Sequence, residues 1–114
     1  GWAADYVLWE MHLLNELGFG LDLDSCASTG VTDDLIYVSP KSGRAISREA
    51  GIPYKNRLLE LPAFLKSVDH TAGSLEEIVA GLDLTAYFLE RHVYAPHRRG
   101  LPDARKRLRE MLAE

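Results

Sequence analysis

The first apolar repeat of the chain predicts an amphipathic helix. Between Ala3 and Leu17, apolar residues recur every three or four positions, as they do along one face of an α-helix. Gly18 follows and can end the helix. The predicted apolar face consists of Tyr6, Trp9, Leu13 and Leu17, flanked by Ala3, Val7 and Leu14.

Glu10 interrupts this face, because it lies among the apolar positions. A buried carboxylate needs a partner. No second carboxylate or histidine shares the face, so a catalytic role is disfavoured. We predict a structural ion pair between Glu10 and an arginine of a later segment, which the spacing does not identify.

Two short apolar segments then predict a β-hairpin. Residues 35–38 (LIYV) and 44–47 (RAIS) flank a Ser-Pro-Lys-Ser-Gly loop at 39–43. Pro40 presets φ at the first corner, and Gly43 can adopt the positive φ that closes a longer loop. Residues 18–34, rich in Gly, Asp and Ser, predict irregular structure. Two strands alone are marginally stable, so the hairpin must pack on helices or be held by another group.

The second half of the chain predicts further helices. Pro62 can open a short helix over residues 63–68. Ser74, with Glu77 three residues later, predicts the start of the next helix, and Gly81 within it indicates either a break or a close helix contact. The apolar stripe of this helix is Ile78, Leu82, Ala86, Leu89 and Val93.

The end of the chain predicts a loop at residues 95–102 and a last helix that starts at Pro102. The residues predicted to face inward are Ala104, Leu108, Met111 and Leu112. The fold class is therefore mainly α, a helical bundle with one inserted β-hairpin.

Length and composition agree with one small domain. The chain has 114 residues, 46% of them hydrophobic, which suffices for a single core. No apolar run approaches the roughly 18 residues of a membrane span, and Asp5 and Glu10 lie where a signal peptide would be basic and then apolar. The one cysteine excludes a disulfide framework. A cytoplasmic protein is expected.

Charge is segregated along the chain. Residues 1–40, 41–66, 67–90 and 91–114 carry −7, +4, −5 and +4, for a net charge of −4. Acidic and basic blocks could pair within the fold, or at least one basic block could face an anionic partner.

The order of these features resembles the C-terminal helical domain of the RecO family of bacterial DNA repair and recombination mediators. The resemblance is carried by WEMHLLNELGFGLDLDSCASTG, by the hairpin YVSPKSGRAISREAG and by the closing FLERHV and LPDARKRL segments. It covers nearly all of residues 1–114 as a single domain, with the hairpin insertion at about 26–51. It implies that an N-terminal OB-fold, present in full-length members, is absent from this chain.

The resemblance also implies a zinc ribbon, which many family members build from two Cys-x-x-Cys pairs. On that pattern Cys26 matches the first ligand, while Thr29, Ser47 and Ala50 replace the other three. A hydroxyl is a poor zinc ligand and a methyl group is none. The hairpin is thus expected to be a degenerate zinc ribbon that has lost its metal ligands, with no metal, no cofactor and an inert thiol at Cys26. Hydrogen bonds from Thr29 and Ser47 are expected in place of the metal.

The function implied by the resemblance is non-enzymatic docking. RecO-like proteins bind single-stranded and duplex DNA, anneal strands, contact the acidic tail of single-stranded DNA-binding protein, and act with RecR to load RecA, which implies a nucleoid-associated location. The candidate residues for binding DNA or an acidic partner are Arg98, Arg99, Arg105, Lys106, Arg109, Lys41, Arg44 and Arg48. Arg105 is expected to be the best placed of them, with Arg109 four residues later on the same side.

Two other functions stay open from the sequence. The domain could be a structural scaffold whose charged blocks neutralise one another, or a metal-dependent nucleic-acid module that recruits zinc through Cys26 and a histidine. Catalysis is disfavoured, because no phosphate-binding loop, His-Glu-x-x-His motif or carboxylate pair is present.

Overall fold

The computed structural model describes residues 2–66 and 74–113. The regular elements are α1 (Trp2–Glu16), β1 (Leu35–Val38), β2 (Ala45–Ser47), α2 (Arg48–Gly51), β3 (Leu59–Glu60), α3 (Leu75–Leu89) and α4 (Asp103–Ala113). Three short 3-10 helices cover Ile52–Arg57, Ala63–Leu65 and Ala95–His97 in the described regions, and a π-helical turn covers Glu90–Tyr94. The fold is therefore mainly helical, as predicted, and its sheet has three antiparallel strands where a two-stranded hairpin was predicted.

Helix α1 packs against α3, and Gly81 of α3 permits the close approach. A Cβ atom at Gly81 would lie 3.0 Å from Val7 Cγ1 and 3.2 Å from the Phe64 ring. The close contact suggested for Gly81 is thus confirmed, and α3 does not break there. This contact orients α1 so that its buried residues are Ala3, Ala4, Val7, Glu10 and Leu14.

The predicted apolar face of α1 was partly wrong. Trp9 and Leu17 are 56% and 47% exposed, and Tyr6 and Leu13 are half-buried. The apolar surface of α1 is wider than the contact with α3, so the pattern alone did not locate its buried part. The flank that contains Ala3 and Val7 faces the core instead.

The predicted hairpin is confirmed. Strands β1 and β2 pair antiparallel, and Gly43 closes their loop with φ of 70° while its N–H donates to the Ser39 carbonyl at 2.9 Å. Strand β3 pairs antiparallel with the other edge of β1, giving the order β2-β1-β3. Sequence analysis missed β3, because two residues are too short to show an alternating pattern.

Helix α3 begins as predicted, since the Glu77 N–H donates to Ser74 Oγ at 3.2 Å. Within its predicted stripe, Ile78, Leu82 and Leu89 are buried, and the other two positions are half-buried. Other α3 residues are also buried, because α1 and α4 both pack on this helix; they are Leu84, Thr85 and Phe88. The helix is therefore the centre of the fold.

Helix α4 also starts where predicted, but it presents a different side to the core. Arg105 is its buried residue, and Leu108 and Leu112 are half-buried. Ala104 and Met111, which were expected to face inward, are exposed. The orientation follows from the anchoring of α4 to α1 and α3 through arginine side chains, which is described below.

Between β3 and α3 the predicted short helix is a single 3-10 turn, with Phe64 and Leu65 buried. The remainder of that prediction, residues 67 and 68, lies outside the described residues. Within the described parts of the chain, no helix is long and apolar enough to cross a membrane.

Candidate functional site

Glu10 and Arg105 form a buried bidentate ion pair that joins α1 to α4. Arg105 Nε donates to Glu10 Oε2 and Arg105 Nη2 to Glu10 Oε1, each at 2.7 Å. The two side chains are only 2% and 5% exposed. The predicted structural ion pair of Glu10 with a later arginine is confirmed.

Thr85 of α3 completes this cluster. Its hydroxyl donates to Glu10 Oε1 at 2.7 Å and accepts from Arg105 Nη2 at 3.1 Å. Arg105 Nη2 also donates to the Leu82 carbonyl at 2.9 Å. Three helices therefore meet at one carboxylate, and no buried side-chain nitrogen or oxygen among the described residues lacks a partner.

The charged state of the Arg105 guanidinium is favoured. Burial alone would lower the pKa of Arg105, but the hydrogen bonds and charge of Glu10 outweigh it and raise that pKa. Burial next to Glu10 likewise raises the pKa of Tyr6. Arg105 is thus a permanent internal cation.

The expectation that Arg105 is the best-placed docking residue was wrong, because its guanidinium is buried and donates hydrogen bonds to Glu10, Thr85 and Leu82. The spacing of Arg105 and Arg109 suggested a basic surface. In the structure, Arg105 instead pairs with Glu10 of α1, the carboxylate whose partner the sequence did not identify. The sequence contained both halves of this pair but no signal that joined them.

Arg109 makes a similar pair at the surface. Its Nε and Nη2 donate to the two carboxylate oxygens of Asp83, each at 3.0 Å, and both side chains are substantially exposed. The hydrogen bonds and charge of Asp83 raise the pKa of Arg109. Arg109 is therefore bound within the fold, although water reaches it.

The hairpin arginines are also paired. Arg48 Nε donates to both oxygens of Asp34 at 3.2 Å, and Arg44 Nε lies 3.8 Å from Asp22. Lys41 is exposed in the hairpin loop and takes part in none of the ion pairs found in the described regions. Within the described parts of the chain, the acidic and basic blocks of the sequence thus pair with each other at four places.

The loop before α4 and the first turn of α4 carry cations that these internal pairs do not include. The chain turns at Arg98, where φ is 57°, and the Arg99 N–H donates to the Tyr94 carbonyl at 2.9 Å. Arg98 and Arg99 are exposed after this turn. A Cβ atom on Gly100 would lie 3.7 Å from Lys106 Nζ, so the Lys106 ammonium lies over the same loop. None of the three forms an ion pair with another described residue.

A groove of about 490 Å³ adjoins Arg99. It is lined by Val93, Tyr94, His97 and Arg99. We call this the α3-end groove. It combines apolar and aromatic surface with one guanidinium, which suits an anionic group attached to an apolar one. The sequence pattern indicated Arg99 but not Tyr94 or His97, because their segment was predicted to be only a helix end and a loop.

The positions of the expected zinc ribbon lie together at the base of the hairpin. The Ser47 N–H donates to Cys26 Sγ at 3.3 Å, and the Ala50 N–H donates to Ser47 Oγ at 3.2 Å. Burial would raise the pKa of Cys26, but hydrogen bonds from the Thr29 side chain and from the N–H groups of Ser47, Thr29 and Ser28 lower it to about 6. The predicted hydrogen bonds of Thr29 and Ser47 are confirmed.

This donor set does not fit a structural zinc ion. Cys26 offers the one thiolate, Ala50 offers no donor, and Ser47 Oγ already accepts a backbone hydrogen bond. No group of three or more His, Cys, Asp or Glu side chains within residues 2–66 and 74–113 is arranged to hold a metal. Cys26 is 1% exposed, so its sulfur is shielded from solvent.

Comparisons with known proteins give the family of this chain. The sequence model described as Recombination protein O C terminal matches residues 1–101. No solved structure matches significantly.

Named relatives are similar along nearly the whole chain. The DNA repair protein RecO of Caulobacter vibrioides (strain NA1000 / CB15N) is 56% identical over 115 residues, which cover 99% of this chain and 46% of the relative. The protein of that name from Rhodospirillum rubrum is 54% identical over 111 residues, 97% of this chain and 44% of the relative. The chain thus spans a little under half the length of these relatives. It matches the C-terminal part of the family and belongs to the RecO family of DNA repair proteins.

Proposed function

We propose that this chain is the partner-docking domain of a RecO recombination mediator and that the α3-end groove receives the acidic C-terminal tail of single-stranded DNA-binding protein. The observation that carries this proposal is that exposed Arg98, Arg99 and Lys106 form no ion pair with another described residue, and that Arg99 lines a partly apolar groove. Docking of the tail would support strand annealing and, together with RecR, the loading of RecA. In this role the domain is non-enzymatic and acts where single-stranded DNA is exposed on the nucleoid.

The chemistry of the groove supports a peptide with an aromatic end. Val93 and Tyr94 can contact an apolar side chain, while Arg99 can bind a carboxylate through two parallel hydrogen bonds. Arg98 and Lys106 would attract further acidic residues of the tail. Aromatic anchors flanked by arginine are typical of the residues that dominate binding energy at interfaces.

Direct DNA binding is the weaker candidate for this domain. Phosphate contacts require clustered cations, whereas Arg105, Arg109, Arg44 and Arg48 are engaged by carboxylates of the same chain. The net charge of −4 also opposes approach to a polyanion.

The hairpin is proposed to be a degenerate zinc ribbon in which hydrogen bonds replace the metal. The contact of Cys26 with Thr29 and Ser47 supports this interpretation, because three of the four ligand positions remain in contact without a second thiol.

Fluorescence anisotropy tests the docking proposal. Labelled acidic peptide ending in Phe and labelled single-stranded DNA are each titrated with the chain at low and physiological salt. We expect the double variant Arg98→Glu with Arg99→Glu to weaken peptide binding at least tenfold, about 1.4 kcal/mol. The matched control, Lys55→Glu with Arg57→Glu, makes the same charge change on exposed residues outside the groove and should have little effect. Equal losses in both variants, or peptide binding unchanged by Arg98→Glu with Arg99→Glu, would overturn the proposal.

A further inference from the structure

We propose that α1 docks, through an exposed aromatic stripe, onto the polypeptide that makes up the remainder of the longer RecO relatives. The stripe consists of Trp2, Tyr6, Trp9, Leu13 and Leu17, and we call it the outer stripe of α1. The proposal rests on family membership and does not depend on peptide binding at the α3-end groove.

The outer stripe is a continuous helical face. Its members are separated by three or four residues, and the Leu17 N–H still donates to the Leu13 carbonyl at 3.0 Å, so the last member continues the helix. Trp2 and Trp9 are 60% and 56% exposed, and Leu17 is 47% exposed. The rings of Tyr6 and Trp9 lie 6.0 Å apart.

Only part of this surface is used for the packing of α1 within the domain. Tyr6 and Leu13 are half-buried and pack against the core, beside the buried residues Ala3, Ala4, Val7, Glu10 and Leu14. Trp2, Trp9 and Leu17 stay substantially exposed. Single exposed apolar residues are ordinary, but a contiguous patch with two tryptophans is typical of an interface.

The remainder of the RecO polypeptide is the occupant that the comparisons favour. The Caulobacter relative is matched over 46% of its length, so more than half of it lies outside the matched region. A covalently attached segment has a high effective concentration, and interfaces between domains of one chain bury roughly 600–1,500 Å². An aromatic stripe of four helical turns fits an interface of that kind.

Charge indicates the chemistry of the opposing face. Asp5 and Glu16 are exposed beside the outer stripe, and residues 1–40 contain no Lys or Arg. The opposing face is therefore apolar with lysine or arginine at its edge. A second copy of this chain fits less well, because a two-fold contact through the stripe would place the same acidic residues of both copies near each other.

Hydroxyl-radical footprinting read by mass spectrometry tests the proposal side chain by side chain. It compares the 114-residue chain alone with a chimera in which the chain replaces the matched stretch of the full-length Caulobacter protein. Trp2 and Trp9 should oxidise readily in the chain alone and lose oxidation several-fold in the chimera. Tyr54 and Met111, which are 58% and 56% exposed on other elements, serve as internal references and should not change.

Two results would overturn the proposal. One is equal oxidation of Trp2 and Trp9 in the chain and the chimera. The other is protection already present in the chain alone together with a dimeric mass, which would assign the stripe to a second copy.

If the chimera does not fold, a second experiment tests the same contact. In it, the chain and the remaining part of the relative are co-expressed as separate polypeptides. The two polypeptides should co-purify. Trp9→Glu should abolish co-purification, while Met111→Glu, which also introduces a glutamate at a site 56% exposed, should preserve it. Absence of co-purification, or equal effects of the two variants, would reject docking through the stripe.

Discussion

Arg105 and Arg109 lie one turn apart on α4, and each binds both oxygens of one carboxylate. Arg105 reaches Glu10 at 2.7 Å with both side chains almost fully buried, whereas Arg109 reaches Asp83 at 3.0 Å with 40% and 54% of the two side chains exposed. Similar hydrogen-bond geometry thus occurs in two different environments. The effect of breaking each pair on the free energy of unfolding depends on this environment, because water screens the exposed pair and cannot solvate the buried one.

The same comparison separates the cations of the last segment into two kinds. Arg105 is committed to the core, and Arg109 is engaged at the surface by Asp83. Arg98, Arg99 and Lys106 are among the cations that form no ion pair with another described residue. The sequence shows the basic character of the segment but does not distinguish the two kinds.

The largest expected effect comes from removing the charge of Glu10. Glu10→Gln keeps the size of the side chain but leaves the Arg105 guanidinium buried without its counter-charge, which should cost about 3–5 kcal/mol of unfolding free energy. Urea denaturation measures this. Glu16→Gln, an exposed control on the same helix, should change stability by less than about 0.5 kcal/mol. A loss under about 1 kcal/mol for Glu10→Gln would mean that the pair is solvated.

An intermediate effect is expected at Thr85. Thr85→Val keeps the shape of the side chain but removes the hydroxyl that donates to Glu10 and accepts from Arg105. One buried hydrogen-bonding group is lost while the ion pair stays, so the cost should be about 1–3 kcal/mol in the same urea experiment. A loss equal to that of Glu10→Gln would show that the hydroxyl is as necessary as the charge.

A small effect is expected at the exposed pair. Asp83→Asn should cost about 0.2–1 kcal/mol. The difference from the unaltered chain should vanish near 1 M salt, where the screening length is about 3 Å. Urea midpoints at low and high salt measure it, and a loss that persists at high salt would indicate that the pair is not screened by solvent.

A pH effect tests a third polar group, the Cys26 thiol. Its pKa falls from 9.0 to about 6 in the folded chain, so between these values the unfolded state binds more protons. This contribution to stability is present above pH 9, and it decreases as the pH falls towards 6. Cys26→Ser should flatten the rise of the urea midpoint between pH 6 and 9, and an unchanged slope would contradict thiolate stabilisation by the surrounding donors.

Local signals in the sequence predicted much of the fold. The Ser74 cap, the Pro40 and Gly43 loop, and the start of α4 after Pro102 each depend on residues close in sequence, and the structure has all three. The buried side of α1 was predicted wrongly, because more of that helix is apolar than its neighbours cover. Pairing across the chain was also beyond the sequence, since Glu10 and Arg105 are 95 positions apart.

Prediction of the candidate site from the sequence was limited in the same way. Arg98 and Arg99 were identified by charge alone, whereas the apolar part of the α3-end groove depends on the turn at Arg98. Cys26, Thr29 and Ser47 were placed together by a resemblance, and hydrogen bonds confirm their contact.

Peptide binding by two matched double variants tests the central claim, that Arg105 is an internal anchor and that Arg98 and Arg99 bind the partner. Glu10→Leu with Arg105→Met replaces the buried pair by apolar side chains, which is often neutral for stability or better. This variant should fold and bind the acidic peptide as well as the unaltered chain, while Arg98→Glu with Arg99→Glu should fold and lose binding. If the first variant is folded but does not bind and the second still does, the assignment of these arginines is contradicted.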